Sequence, residues 1–377
     1  MNLKDLTLHQ FRNYEHQSLT FGPGVNILIG ENAQGKTNVI EAIHCLALGK
    51  SHRTNKDADL IQWNAAEAFI QATVAYDHYS DRTLRIDFTG SGKRARVSGV
   101  PQTKMTDYIG HFQIVLFAPE DLQLVKGGPA IRRRFLDMEL GQTQPTYLYH
   151  LTRYTRALQQ RNSLLRSADH LDPVFLDAFD EQLVEHGTEI LLRRLAFVDQ
   201  MRTYARQIHS TISDHREELD LTYSTTVRTG ERSALDAVRE DRAQAAEVFR
   251  DALARRRQND LHLRYTSVGP HRDDLVFALN GQPVQSFASQ GQQRTIALSV
   301  RLAEIDFIRG EVGEYPVLLL DDVLSELDDS RQRNLVLSMS AKVQTVLTTT
   351  SLFHLEHELG GTARLFHVQS GIIQVGG

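Results

Sequence analysis

The chain is 377 residues long, 41% hydrophobic and 24% charged, an ordinary globular balance and enough length for two or three structural units. Its net charge of −5 excludes a protein-wide basic field, so any contact with a polyanion must come from local patches. No apolar run reaches bilayer-spanning length, no signal pattern opens the chain, and the one cysteine, Cys45, excludes a disulfide framework or a cysteine metal cluster; a cytoplasmic setting without a membrane partner is expected.

Taken in chain order, Leu3, Leu6, Leu8 and Phe11 open a region of mixed strand and helix. Val25–Ile29 reads as a buried strand. The octet Gly30-Glu31-Asn32-Ala33-Gln34-Gly35-Lys36-Thr37 follows, matching G-x-x-x-x-G-K-[ST], and Asn38 to Leu48 reads as a helix. Two glycines let the loop wrap so that successive backbone N–H groups converge on a phosphate. Lys36 is placed to reach the β- and γ-phosphates, Thr37 offers a hydroxyl to Mg²⁺, and the helix N-terminus adds its positive end. Strand-loop-helix context makes binding of a nucleoside triphosphate the expectation. Thr73–Tyr76 and Leu84–Phe88 alternate as half-buried strands, the latter turning at Gly90-Ser91-Gly92 into a small basic cluster of Lys93, Arg94 and Arg96.

From Pro119 to Arg264 strand signals give way to helical periodicity. Tyr147, Leu151, Tyr154, Leu158 and Leu165 mark one helix. After the Asp172-Pro173 turn, apolar positions from Phe175 to Ile212 mark a second of about 40 residues, roughly 60 Å long. A polar stretch from Thr229 to Asn259 predicts a further exposed helix. Residues 131 to 166 hold Arg132, Arg133, Arg134, Arg153, Arg156, Arg161 and Arg166 against only Asp137 and Glu139. That local excess makes Arg153, Arg156 and Arg161 candidate phosphate contacts, unless the arginines simply form a solvated face.

Strand signals return at Leu275–Leu279, which leads into the Asn280-Gly281 turn. His271, Asp273 and Asp274 could suggest metal ligands, but their spacing fits a strand entry better. Ser289-Gln290-Gly291-Gln292 opens a helix running to about Ile308, and offers a second anion site at that helix's start. Val317–Leu320, apolar on both faces, then delivers Asp321 as the carboxylate that would hold Mg²⁺ opposite Thr37. About 280 residues separate Lys36 from Asp321, so the ATPase is split by a large insertion. Ser325-Glu326-Leu327-Asp328 and a strand at Thr345–Thr348 complete the pattern.

The order of phosphate loop, insertion, Ser289-Gln290-Gly291-Gln292 signature, Asp321-Asp322 and Ser325-Glu326-Leu327-Asp328 resembles the SMC-like branch of ABC ATPases. The blocks Leu8–Tyr14, Ser51–Thr54, Pro119–Leu122, Arg132–Asp137, Gln160–Asn162 and Gly269–Asp274 resemble the RecF family of bacterial DNA replication and repair proteins over nearly the whole chain. The resemblance implies an α/β ABC-type head split by a mainly helical arm, with boundaries near 1–118, 119–264 and 265–377. It implies a slow ATPase switch using ATP and Mg²⁺, and an ATP-dependent homodimer in which Ser289, Gly291 and Gln292 complete the partner's site and Asp328 crosses the interface. It also implies binding to DNA at single-strand gaps and action with RecO and RecR in loading the recombinase. Arg12 and Asn13 would approach the nucleotide, as similar residues do in SMC-like heads. Asp322 occupies the position where ABC transporters carry the catalytic glutamate, and Thr350 that of their switch histidine; both changes predict slow hydrolysis. No Q-loop residue is assigned: Gln113 lies near, but Pro119-Glu120 occupies the better turn. A transporter's nucleotide-binding subunit and a metabolic kinase are the competing classes; the first should lack the arm, and the second should lack the signature serine.

Overall fold

A computed structural model describes residues 1–167, 173–229, 232–233, 241–323, 342–351 and 363–376. The chain divides into two compact units, Met1–Asp121 with Val300–Gly377, and Leu122–Ser299.

In the first unit, β1 (Asn2–Phe11), β2 (Tyr14–Thr20), β4 (Glu67–Ala75), β5 (Arg82–Thr89), β6 (Gly92–Val97) and β7 (Val100–Pro101) form an antiparallel sheet in the order β2-β1-β4-β5-β6-β7. Side chains of the central β4 and β5 alternate between buried and partly exposed, as a one-sided sheet requires. The second sheet has the order β17-β16-β3-β15-β14-β8, from β3 (Val25–Ile29), β8 (Ile114–Phe117), β14 (Val317–Leu320), β15 (Thr345–Thr349), β16 (Arg364–Gln369) and β17 (Ile372–Val375). All its neighbours run parallel except the β16–β17 hairpin. Strands β8 and β14 are buried at every position, the mark of a sheet covered on both faces. Helix α1 (Lys36–Leu48) packs against β4 and β5 of one sheet and β8 and β15 of the other, which is why it is apolar nearly all round and buries Cys45. Strands from the two ends of the chain pair directly in this sheet, β3 with β15 and β8 with β14.

The second unit is built on α2 (Pro129–Thr143), α3 (Pro145–Arg166), α4 (Pro173–Ile212) and α5 (Arg242–Leu263). Helix α4 has the 40 residues its periodicity predicted. Two expectations need correction. Leu219–Ser224 is a strand, β9, whose alternating Leu219, Leu221 and Tyr223 face the core. The arm also ends at Ser299, within α6 (Gln290–Val312), rather than at residue 264. The reason is pairing: β12 (Asp274–Leu279) runs antiparallel to β9 along its whole length, so it belongs to the arm's sheet β13-β12-β9, with β13 at Gln282–Pro283. Between β9 and α5 lies a short hairpin of β10 (Arg228–Thr229) and β11 (Arg232–Ser233). Asp328 lies outside the described residues.

Candidate nucleotide site

Parallel strands put the carboxyl ends of β3, β15 and β14 side by side, and a crevice at such an edge is where α/β sheets bind ligands. Gly30 leaves β3 so close to β16 that a Cβ would lie 2.3 Å from the Val368 carbonyl oxygen. Gly35 caps α1 at φ +117°, and a Cβ there would come within 2.6 Å of Asn13 and 2.8 Å of the Tyr14 hydroxyl. Both positions therefore require glycine. Tyr14 donates to the Gly35 carbonyl at 3.0 Å, Asn13 Nδ2 to the Gln34 carbonyl at 3.1 Å, and Gly371 N to the same carbonyl at 3.2 Å. The loop is pinned by the β1–β2 turn on one side and the β16–β17 turn on the other.

Lys36 Nζ donates to the carbonyls of Gly30 at 2.5 Å and Glu31 at 2.8 Å, arching over the loop. Burial lowers its pKa, opposed by the carboxylates of Asp322 and Asp321. Thr37 Oγ1 donates to Asp321 Oδ1 at 3.0 Å, bringing together two residues 284 positions apart. Thr348 Oγ1 donates to the same oxygen at 2.9 Å and accepts from Asp322 N at 2.9 Å. Burial raises the pKa of Asp321, and the two hydroxyls oppose that shift. A hydroxyl and a carboxylate at this spacing suit Mg²⁺, which favours oxygen donors and neutralises phosphate charge when bound.

Asp322 has φ 54°, in the left-handed region that aspartate and asparagine enter more readily than longer side chains. That backbone gives a physical reason for aspartate where related ATPases carry glutamate. Thr350, expected at the switch position, lies past the end of β15, and it is Thr348 that touches the Asp321 carboxylate and the Asp322 backbone N–H. Gln113 stands at the start of β8, its side chain donating to Gly110, away from the crevice. Glu120, at the turn after β8, and His52 both contribute to the electrostatics of Asp321.

Arg12 forms a bidentate pair with Glu41 of α1, at 2.8 and 2.6 Å, and also donates to the Asp59 carbonyl. Glu41 is fully buried, receives Ser51 Oγ at 2.5 Å, and is kept ionised against its burial by Arg12, Ser51 and Arg53. Sequence reasoning missed Glu41. A glutamate within the mostly apolar run Val39 to Leu48, with Arg12 upstream and Arg53 just downstream, was the available signal.

In the second unit, Ser289 and Gln292 form a reciprocal cap on α6: Gln292 Oε1 accepts from Ser289 N at 2.8 Å, and Ser289 Oγ from Gln292 N at 3.3 Å. Ser289 and Gly291 are exposed, while Gln292 also reaches Glu217 at 2.8 Å. Of the three candidate DNA-contacting arginines, Arg153 and Arg156 are exposed, Arg153 lying over the Tyr149 ring at 4.8 Å. Arg161 is not available to DNA. It is wholly buried, donating to Asp180 at 2.5 Å and to Asp260 and Thr266 at 2.8 and 2.9 Å. Arg132 is likewise buried against Asp274. The Gly269–Asp274 block is structural: His271 bonds Tyr154 and Thr266, and Asp273, just before β12, accepts from Tyr223, Thr225 and Thr226. No metal-holding cluster of His, Cys, Asp and Glu occurs among the described residues.

The RecF/RecN/SMC N-terminal domain family matches residues 2–374. The DNA replication and repair protein RecF of Oceanobacillus iheyensis is 45% identical over 376 residues, covering 99% of this chain and 100% of that one. This chain belongs to the RecF family. RecF of Listeria monocytogenes is 46% identical over 381 residues, with 99% and 100% coverage. Among solved structures, the recombination mediator protein RecF of the RecFOR pathway with ATPrS superposes at a TM-score of 0.90, with 32% identity and coverage of 99% and 98%. An Smc head bound to the C-terminal winged-helix domain of ScpA, at TM-score 0.57 and 15% identity, shares the fold. The RecF-family ATPase head, with mixed helices and sheets, is thereby established. Among the described residues no helix is long and apolar enough to cross a membrane.

Proposed function

We propose that this RecF-family chain is an ATP-dependent DNA-binding protein of recombinational repair, acting as a slow ATPase switch. The observation that carries the reading is the convergence of Thr37 and Asp321 beneath a glycine-pinned phosphate loop. Residues Gly30 to Thr37 would cradle ATP, Thr37 and Asp321 would hold Mg²⁺, and Asp322 would orient and deprotonate the attacking water. Arg12 is held by Glu41 and Asn13 by the loop itself, so both can position the nucleotide. Ser289, Gly291 and Gln292, on an exposed helix start, would complete the site of a second copy, and Asp328 would lie at the same dimer interface. The dimer would bind DNA at single-strand gaps and, with RecO and RecR, help load the recombinase in the cytoplasm. A transporter subunit is disfavoured by a family match that spans the arm as well as the head.

Sedimentation with ATP, with and without gapped DNA, tests the reading on wild type and on Ser289→Arg. Wild type should dimerise on ATP and bind DNA as the dimer. Ser289→Arg should bind ATP yet stay monomeric. A Ser289→Arg protein that dimerises on ATP would refute the trans assignment.

A further inference from the structure

The arginines of α5 divide into two groups. Arg242, Arg250 and Arg257 face α4 and are matched by its acids: Arg242 pairs with Glu189 at 2.5 Å, Arg250 with Glu181 at 2.7 Å, and Arg257 with Asp177 and with Asp180 at 2.9 Å. This antiparallel ladder neutralises one face of the helix. Arg255 and Arg256 lie outside the ladder, exposed and without an ion pair or hydrogen bond among the described residues.

Those two side chains line a cavity of about 630 Å³ with Arg228, Thr225, Thr226 and Ser267, and among the described residues no acidic side chain lines it. Arg228 is held in place by its own Nε, which donates to the Thr225 carbonyl at 2.9 Å. The nearest buried carboxylates are already committed. Asp273 accepts from Thr225 and Thr226 at 2.8 and 2.9 Å, and Asp260 accepts from Ser267 and from Arg161. They order the floor of the cavity and, among the described residues, leave the three guanidinium groups without an ion pair, in a protein whose net charge is −5.

We propose that this cavity is a phosphate-binding site of the arm, taking the sugar-phosphate backbone of DNA between Arg228, Arg255 and Arg256. Guanidinium forks match the oxygens of a phosphodiester, and clustered like charges gain most from a polyanion that releases counterions on binding. A protein partner would be expected to insert an aromatic or aliphatic anchor, and the lining offers only Ala252 and Val268 to receive one. Contacts of this kind carry no base information, so the site fixes position along the duplex rather than sequence. The inference rests on the reading of the chain as DNA-binding. It places the arm's phosphate contacts on α5 and β10, not on the buried Arg161.

The test is fluorescence anisotropy of the full chain with ATP and a labelled gapped duplex, across a salt series. The variants are Arg255→Ala/Arg256→Ala, the same pair with Arg228→Ala, and Arg153→Ala/Arg156→Ala for comparison. The first should weaken binding tenfold or more and flatten the plot of log affinity against log salt by about 2, near 0.9 per duplex phosphate lost. Adding Arg228→Ala should flatten it further, with ATP affinity and thermal midpoint unchanged. If wild type binds DNA and the triple variant keeps its slope, the site is refuted while the functional reading stands. Retained DNA binding with loss of an acidic protein partner would refute it too, and assign the cavity to that partner. If wild type binds no DNA even at low salt with ATP, the functional reading fails and the site falls with it.

Discussion

Arg161 shows how one residue's environment overrides its type. A charge at the surface of α3 would be free to meet a polyanion. Turned inward, the same guanidinium ties α3 to α4 through Asp180 and to the end of α5 through Asp260. Removing one partner of such a buried set strands the others, at a cost of about 3–5 kcal/mol. Arg161→Ala should therefore lose that much stability in urea unfolding of the arm, whereas the exposed Arg156→Ala should stay within about 0.5 kcal/mol of wild type. Asp322 is a second case, in which backbone selects chemistry. Asparagine tolerates its φ of 54° equally well, so Asp322→Asn keeps the fold and removes only the proton acceptor. ATP binding should survive in that variant while phosphate release falls at least a hundredfold; undiminished turnover would move the base elsewhere.

At the scale of elements, helix starts carry the sites. The first turn of α1 joins the phosphate loop to Thr37, and the first turn of α6 joins the signature to its cap. The Ser289–Gln292 cap satisfies backbone N–H groups that would otherwise be orphaned. Ser289→Ala should lower the stability of the arm by about 1 kcal/mol, read by denaturant unfolding, and should also weaken ATP-dependent dimerisation. Ser289→Asp, which restores a cap but adds charge, should recover the stability and not the dimer. This separation of effects distinguishes a helix cap from a phosphate contact.

For the whole molecule, ligand and pH give the readouts. ATP with Mg²⁺ that binds only the folded chain should add about 2.7 kcal/mol at a hundredfold excess over Kd, seen as a rise in thermal midpoint. Lys36→Met should abolish that rise while leaving the midpoint without ATP close to wild type. His271 gives the pH dependence. Burial and the charges of Arg272, Arg133 and Arg161 lower its pKa to about 4. The native imidazole is therefore neutral; with Nε2 facing the Thr266 carbonyl it donates there, and Nδ1 accepts from the Tyr154 hydroxyl. The unfolded chain takes up the proton first as pH falls, so the contribution of His271 to stability should decline from about pH 6.5 towards 4 and level off below, in the same direction as those of His52 and His209, whose pKa values burial also lowers. His271→Gln should make the decline across that window shallower than in wild type, in chemical unfolding at fixed pH steps.

Local pattern determined the phosphate loop, the 40-residue helix, the split of the ATPase and the identity of the carboxylate strand, because each is set by residue spacing along a continuous segment. The Gly30–Thr37 octet and the all-apolar Val317–Leu320 are unambiguous without any partner. Only the tertiary structure decided which charges are spent. Arg161 and Arg156 belong to the same helix and look alike in sequence, yet one is sealed behind Asp180 and Asp260 and the other is exposed. The placement of β12 in the arm was equally invisible, since its partner β9 lies 50 residues away at Ser224 and Asp274 and pairing across such a distance leaves no local trace. Burial, pairing and compensation are properties of neighbours in space, and a chain read along its length does not contain them.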